Sequence, residues 1–279
     1  MELRPTTADD LRPLHALFLE SIGGVFHSHG FEPPAPPFEV FAAQQAHVLA
    51  TGASVVGERD GRIAGFAAAW ARGGDWFLAS LFVERAAQGH GLGSTLLDAV
   101  WDERAERRRT ITDAIQPVSN ALYGRRGLIP VTPLLAFAGA PDGASELLQP
   151  LDRADAALPE IDAAAYGFDR AVDHEYWARS GLRTIWAREG TPVAYSYAYP
   201  GGALGPVAGL APVDAADALE SALARTDGTA TVRMPGSARG LVEVALRLGL
   251  RLSPTPGLLL CSTGVEPPAA LAVGSFSLF

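Results

Sequence analysis

The stretch Gln88-Gly89-His90-Gly91-Leu92-Gly93-Ser94 sets glycines at alternate positions, directly after an apolar run (Trp76 to Val83) and directly before an apolar helical pattern. Glycines leave no Cβ between a ligand and the backbone, so successive N–H groups can converge on an anion with the positive end of the next helix behind them. The chemistry on offer is phosphate or pyrophosphate binding. Two common nucleotide frames do not fit. A G-x-G-x-x-G fingerprint puts Ser94 or Leu96 at its last glycine, and a P-loop needs a lysine, whereas every one of the 22 basic residues here is arginine. Further on, Ser119 to Leu128 reads as a short capped helix closed by glycine. Asn120 and Tyr123 fall three apart on it and share a face.

The pattern Gln88-x-x-Gly91-x-Gly93, preceded by Leu81-Phe82-Val83 and followed by a helix, closely resembles the pyrophosphate-binding motif of the GCN5-related N-acetyltransferases, the GNAT superfamily. Asn120-x-x-Tyr123 closing in Gly127-Leu128 resembles that family's second motif. The resemblance implies an α/β (α+β) fold with a mixed, mostly antiparallel sheet flanked by helices. It implies acetyl-CoA as co-substrate and no metal. The pyrophosphate would lie on Gln88, Gly89, His90, Gly91, Leu92, Gly93 and Ser94, and the pantetheine arm along Leu81, Phe82 and Val83. Asn120 would bond that arm or merely cap its helix, and Arg126, with Arg125, would reach the phosphates or stay solvated. Tyr123 would be the general acid beside the CoA sulfur, or an aromatic packing its helix onto the sheet. Backbone N–H groups near Phe82 and Val83, where the fourth and fifth strands part, would polarise the thioester oxygen. The segment after the first helix, with His27, His29 and Phe31, would touch the acceptor; surface histidines on a proline-stiffened loop are its plainer reading. The implied activity is transfer of an acetyl group to a primary amine of a small molecule, by direct attack in a ternary complex. A non-catalytic acyl-CoA-binding or regulatory protein is the alternative. Two departures stand out. The fourth strand, Trp76 to Leu81, carries no acid, which leaves Glu58, Asp75, His27, His29 or an ordered water as proton acceptor, and Arg85 stands where the family often has proline.

These groups need elements to hold them. Met1 to Pro5 reads as a strand and Thr6 to Ile22 as a capped helix with Leu11, Leu14, Leu17, Phe18 and Ile22 on one face. A breaker-rich loop is expected over 23–37 and a second helix over 38–51. Three strands follow, over 53–58, 61–72 and 76–83, joined at Asp60-Gly61 and Gly73-Gly74. The helix after the glycines is expected to run from Leu92 to the arginines at 107–109, with a fifth strand over 110–115. The second half repeats the scheme: strands flank Glu189-Gly190, a helix covers 215–225, a strand 229–234, a helix 238–248 and a last strand 257–262. It does not repeat the glycine cradle, having Leu204-Gly205-Pro206-Val207-Ala208-Gly209-Leu210 there, in which Pro206 lacks an N–H. The expected organisation is a GNAT domain at 1–140, a linker at 141–157 and a degenerate GNAT-like domain at 158–279, with one acetyl-CoA per chain. Bacterial two-lobed acetyltransferases share such a plan.

Composition narrows the partners. A formal net charge of −9, with no basic block beyond Arg107-Arg108-Arg109, disfavours nucleic acid and mildly favours a cationic amine. The single Cys261 excludes an internal disulfide. No signal peptide is apparent, and no apolar run approaches the roughly 20 residues that span a bilayer, so a cytoplasmic monomer or homodimer without membrane contact is expected.

Overall fold

The computed structural model describes residues 2–151 and 154–279; Met1, expected to open the first strand, and Asp152 and Arg153 of the expected linker lie outside them. The chain divides into two compact units, Met1–Ile129 and Pro130–Phe279.

The first unit runs β1 (Glu2–Pro5), α1 (Leu11–Ser28), α2 (Phe38–Thr51), β2 (Ala53–Arg59), β3 (Arg62–Arg72), β4 (Asp75–Val83), α3 (Leu92–Val100), β5 (Arg107–Asp113) and α4 (Pro117–Gly124). Its strands lie in the order β1-β2-β3-β4-β5. All pairs are antiparallel except β4 with β5, which is parallel. Both hairpin turns place two successive residues at positive φ, Asp60-Gly61 and Gly73-Gly74, the geometry that matches strand twist in a two-residue turn. An aromatic cluster seats α1 and α2 on the sheet: Phe18 lies 5.4 Å from Phe41 and 5.2 Å from Phe82, and Phe82 lies 5.5 Å from Phe66, ring centre to ring centre.

Two elements differ from the sequence-based expectation. The loop expected from Gly23 begins six residues later, because α1 continues through Gly23-Gly24 to Ser28. Phe26 extends the buried row of Leu14 and Leu17, and its packing carries the helix across two poor helix formers. The helix expected to reach Arg107 ends at Val100 instead. Arg107, Arg108 and Arg109 open β5, where Arg107 donates to Asp75 at 2.6 Å and Arg109 also pairs with it. A buried carboxylate on β4 thus claims two of the three arginines and holds the strands together.

The second unit contains most of β6 (Ile129–Gly139), then β7 (Gln149–Leu151), α5 (Leu158–Tyr166), α6 (Ala171–Trp177), β8 (Leu182–Arg188), β9 (Thr191–Ala198), β10 (Ala203–Gly209), α7 (Pro212–Leu223), β11 (Ala230–Pro235), α8 (Arg239–Arg247), β12 (Arg251–Leu252), β13 (Gly257–Cys261) and β14 (Leu271–Ala272). Its core order β7-β8-β9-β10-β11, antiparallel until the parallel pair β10 and β11, repeats that of β1 to β5. The helices fall at the same places in the chain order. The strand β6 pairs with β11 from Leu134↔Pro235 to Gly139↔Ala230, and the stretch expected as a linker includes β7. A buried polar network ties α5 and α6 to β9: the Asp162 carboxylate accepts from the Tyr195 hydroxyl at 2.8 Å and the Arg170 amide at 2.9 Å, and meets His174 Nε2 at 3.0 Å.

Removing one partner from a buried ion pair strands the other. Asp75→Ala should therefore lower stability by about 3 to 5 kcal/mol, read from the urea midpoint, whereas Glu58→Ala, at a partly exposed pair with Arg4, should change it by less than about 1 kcal/mol.

Candidate active site

The site starts from an irregularity in β4. Pairing with β3 steps from Ala68↔Ser80 to Ala69↔Leu78, so Ala79 is an extra residue, a β-bulge. Parallel pairing of β4 with β5 runs from Asp75↔Arg107 to Leu78↔Thr110 and stops there, at the bulge. Past it β4 continues to Val83 and β5 to Asp113 with a gap between them. The Glu84 amide donates to Ala64 O at 2.8 Å, so by strand alternation Phe82 also turns its N–H toward β3. Leu81 and Val83 turn theirs into the gap. Of the amides expected near Phe82 and Val83, those of Leu81 and Val83 face the gap, while Phe82 packs its ring on the aromatic cluster of α1. The turn of α1 that carries Ser21 lies beside the same strand end, Ser21 Oγ standing 3.5 Å from Val83 O.

A cradle follows at once. The Gln88 side chain does not reach outward; its Nε2 donates to Val83 O at 3.0 Å and braces the loop on β4. His90 Nδ1 stands 2.8 Å from Gln88 O. Gly89 and Gly91 sit at φ 80° and 87°, in the left-handed region, and Gly91 is the N-cap of α3. The first helical bond is Thr95 N–H to Gly91 O at 3.1 Å, and the amides of residues 89–94 meet no acceptor among the described residues. Six donors at a helix N-terminus with no carboxylate in the first turn suit an anion.

The helix α4 is held against this cradle. Leu122 lies 3.5 Å from where a Cβ on Gly93 would stand, and Arg126 pairs with Asp98 of α3. Arg126 is thus occupied at the helix surface. On α4 the Asn120 Nδ2 donates to Gln116 O at 2.9 Å, while its Oδ1 is buried with no partner. Tyr123 is buried, and its hydroxyl bonds Ser119 one turn back; burial raises its pKa above that of an ordinary phenol. Val83, Gly93 and Leu122 therefore meet where the end of β4, the cradle and α4 come together.

The acceptor-side candidates are arranged differently. His27 is exposed on the last turn of α1, His29 is exposed at its C-cap with Nδ1 2.9 Å from Val25 O, and Phe31 is half-buried. Among the described residues no group of three His, Cys, Asp or Glu side chains could hold a metal ion. Two suggested proton acceptors lie elsewhere. Glu58 bonds Arg4 at the β1 side of the sheet, and Asp75 is sealed at the closed end of the β4–β5 pair. Sequence reading passed over a third carboxylate, Asp113, the last residue of β5. It has no hydrogen-bond or ion-pair partner to its side chain, and burial pushes its carboxyl up to about 6. No signal in the sequence marks it, since its meaning depends on strand register and depth.

The second unit lacks both halves of this arrangement. Eight residues join β4 to α3, but only Leu210 and Ala211 join β10 to α7. Asp214 lies in the first turn of α7, where its charge repels an anion. The parallel pair β10–β11 also ends early, after Leu204↔Val232, yet β14 closes that slot by pairing Val207↔Ala272 and Ala208↔Leu271, and Val273 donates to Arg233 O at 2.8 Å.

The family model of the GNAT acetyltransferases matches residues 19–128, the span from α1 to the end of the α4 segment. These residues are thus similar to a GNAT acetyltransferase domain. The entire chain superposes on a candidate acetyltransferase of Pyrococcus horikoshii with a TM-score of 0.76 at 16% identity, covering 100% of this chain and 95% of the other. A GCN5-related N-acetyltransferase of Sphaerobacter thermophilus gives 0.64 at 17% identity, covering 95% and 97%. The GCN5-related glucosamine N-acetyltransferase region of a fungal multi-domain β-N-acetylglucosaminidase gives 0.65 at 12% identity, covering 93% of this chain and 38% of the other. At these identities the likeness is one of fold. No curated protein sequence matches the chain. The GNAT fold is therefore present, with a second half that repeats the scaffold and omits the cradle. Among the described residues no helix is long and apolar enough to cross a membrane.

The Asp113 carboxyl yields a stability test. Its folded pKa lies above the ordinary carboxylate value, so its contribution is favourable below about pH 4 and is lost as pH rises through 6. Asp113→Asn should raise stability at pH 8 by up to about 3 kcal/mol and leave it unchanged at pH 3.5, measured by urea denaturation at both pH values.

Proposed function

We propose that the protein is an acetyl-CoA-dependent N-acetyltransferase that passes the acetyl group to a primary amine of a small molecule by direct attack in a ternary complex. The observation that carries this reading is the coincidence, within one GNAT domain, of an unfilled gap between β4 and β5 with a cradle of six unpartnered amides.

The residues present fit the co-substrate. The amides of 89–94 and the N-terminus of α3 match a pyrophosphate, and the exposed backbone edge of Leu81 and Val83 matches the amide groups of a pantetheine arm. Asn120 Oδ1, a buried acceptor without a donor, fits an N–H of that arm. An N–H on β4 facing the gap is suited to polarise the thioester oxygen as negative charge develops there. The Tyr123 hydroxyl, an ordinary phenol in type, is protonated at neutral pH, the state a donor to the departing thiolate needs. Arg126 supports α4 through Asp98, and Arg125 is exposed on the same turn. His27, His29 and Phe31 are proposed to line the acceptor side.

Isothermal titration should give one acetyl-CoA per chain, because β14 fills the corresponding slot of the second unit; two equivalents would contradict this. Gly91→Glu should abolish binding by placing a carboxylate and a strained backbone in the cradle. Tyr123→Phe should bind acetyl-CoA as the wild type does and lose about 10²-fold in kcat, measured by thiol release with a panel of primary amines. Wild-type protein that binds acetyl-CoA and acetylates no amine would favour a non-catalytic acyl-CoA-binding role.

A further inference from the structure

The GNAT domain has no acid on β4 within the gap, so a side-chain base for the amine proton would come from another element. Strand parity identifies which side chains face which way. Trp76 donates its indole N–H to Val100 O and Arg108 lies over Trp101, so both point to the face covered by α3. Asp75, Arg107 and Arg109 therefore occupy the opposite face, where they pair with one another. Along β5 the alternation carries Ile111 and Asp113 to that same face. On β4 the bulge resets the phase: Ser80 meets Gln45 of α2 at 3.0 Å, and Phe82 meets Phe18 of α1. Asp113 thus shares its face with Phe82 and with helices α1 and α2, three residues past the last paired position, Thr110, where the two strands have parted.

The place has further qualifications. Asp113 O accepts from the Gln116 amide at 3.0 Å, in the turn that starts α4, so the residue stands at the root of the helix that carries Asn120 and Tyr123. The charges on the strands beside it, Asp75, Arg107 and Arg109, are engaged together at the closed end of the pair. No charged side chain of β4, α1, α2 or α4 contributes to its ionisation; burial alone does. The carboxylate is neither a salt-bridge partner nor a helix cap. Glu84, the acid that directly follows β4, lies beyond the strand, on the run into the cradle.

From this juxtaposition we infer that Asp113 is the catalytic base of the amine acetylation, facing the acceptor from the α1–α2 side of the β4–β5 gap. The inference rests on the N-acetyltransferase reading above. Asp113 takes one proton from the amine nitrogen as its lone pair forms the bond to the thioester carbonyl carbon. The carbon–sulfur bond then breaks, and the departing thiolate takes one proton from the Tyr123 hydroxyl. Solvent returns a proton to Tyr123 and removes one from Asp113, so the net change is amine and thioester to amide and thiol. A carboxyl near 6 is ionised at neutral pH yet basic enough to accept that proton.

The test compares two nucleophiles on the full chain at pH 7.5: the primary amine of a panel that the wild type acetylates fastest, and hydroxylamine, which is already neutral there and needs far less help from a base. Asp113→Asn should bind acetyl-CoA with the wild-type Kd and lose about 10²-fold or more in kcat with the amine, but less than about 5-fold with hydroxylamine. The wild-type kcat with the amine should fall as pH drops through about 6, and the Asp113→Asn profile should lack that inflection. Glu84→Gln should keep wild-type rates with both. An Asp113→Asn protein that keeps its rate with the amine, that loses both nucleophiles equally, or that is matched by Glu84→Gln overturns the assignment while leaving the N-acetyltransferase reading intact. A wild-type protein that acetylates neither nucleophile refutes that reading, and the assignment of Asp113 with it.

Discussion

A sheet that stops pairing in its own middle leaves backbone groups that something must satisfy, and this demand organises both halves of the chain. In the first unit β4 and β5 pair for four residues and then separate at the Ala79 bulge, turning Leu81 and Val83 toward an open gap. In the second unit β10 and β11 pair for two residues and separate in the same way, but residues 271–273 enter the slot and take up its hydrogen bonds. One fold therefore gives one half with an unmet requirement for a peptide-like partner and one half that meets it internally.

The surrounding residues make the gap durable. Asp75, with Arg107 and Arg109, clamps the strands at the closed end, so their separation farther along does not propagate backward. Beyond the open end Gln88 braces the loop on Val83 O, and α4 is tied to α3 by Leu122 and Arg126. The amides of 89–94 stay unpartnered because glycines at positive φ turn the chain before α3 can bond them. Asn120 and Tyr123 are carried to the same place by a helix eight residues long. The eight-residue connection from β4 to α3, set against the two-residue connection from β10 to α7, gives only the first unit a long glycine-containing loop before its helix.

What could be read from residues alone follows the range of the forces involved. The Asp60-Gly61 and Glu189-Gly190 turns were readable because a two-residue hairpin needs two positive φ values, which those pairs supply locally. The cradle was readable because the glycine spacing is itself the constraint. The helix after it was read too long, since an amphipathic pattern persists to Arg107 while the decisive attraction comes from Asp75, far off in sequence. The first helix was read too short because two glycines predict a break that the burial of Phe26 overrides. Asp113 and β14 carried no local signal at all. An aspartate acquires its role only from strand parity and depth, and a two-residue strand in a proline-rich tail acquires its role only from pairing with residues more than sixty positions away.

The central claim is that a single backbone gap and cradle, in the first unit, receive the co-substrate. Amide hydrogen exchange with and without saturating acetyl-CoA tests it residue by residue. The account predicts slowed exchange at Leu81 and Val83 and across residues 89–94, with no change across residues 203–214. Protection over 203–214, or saturable binding with no protection over 89–94, would contradict it.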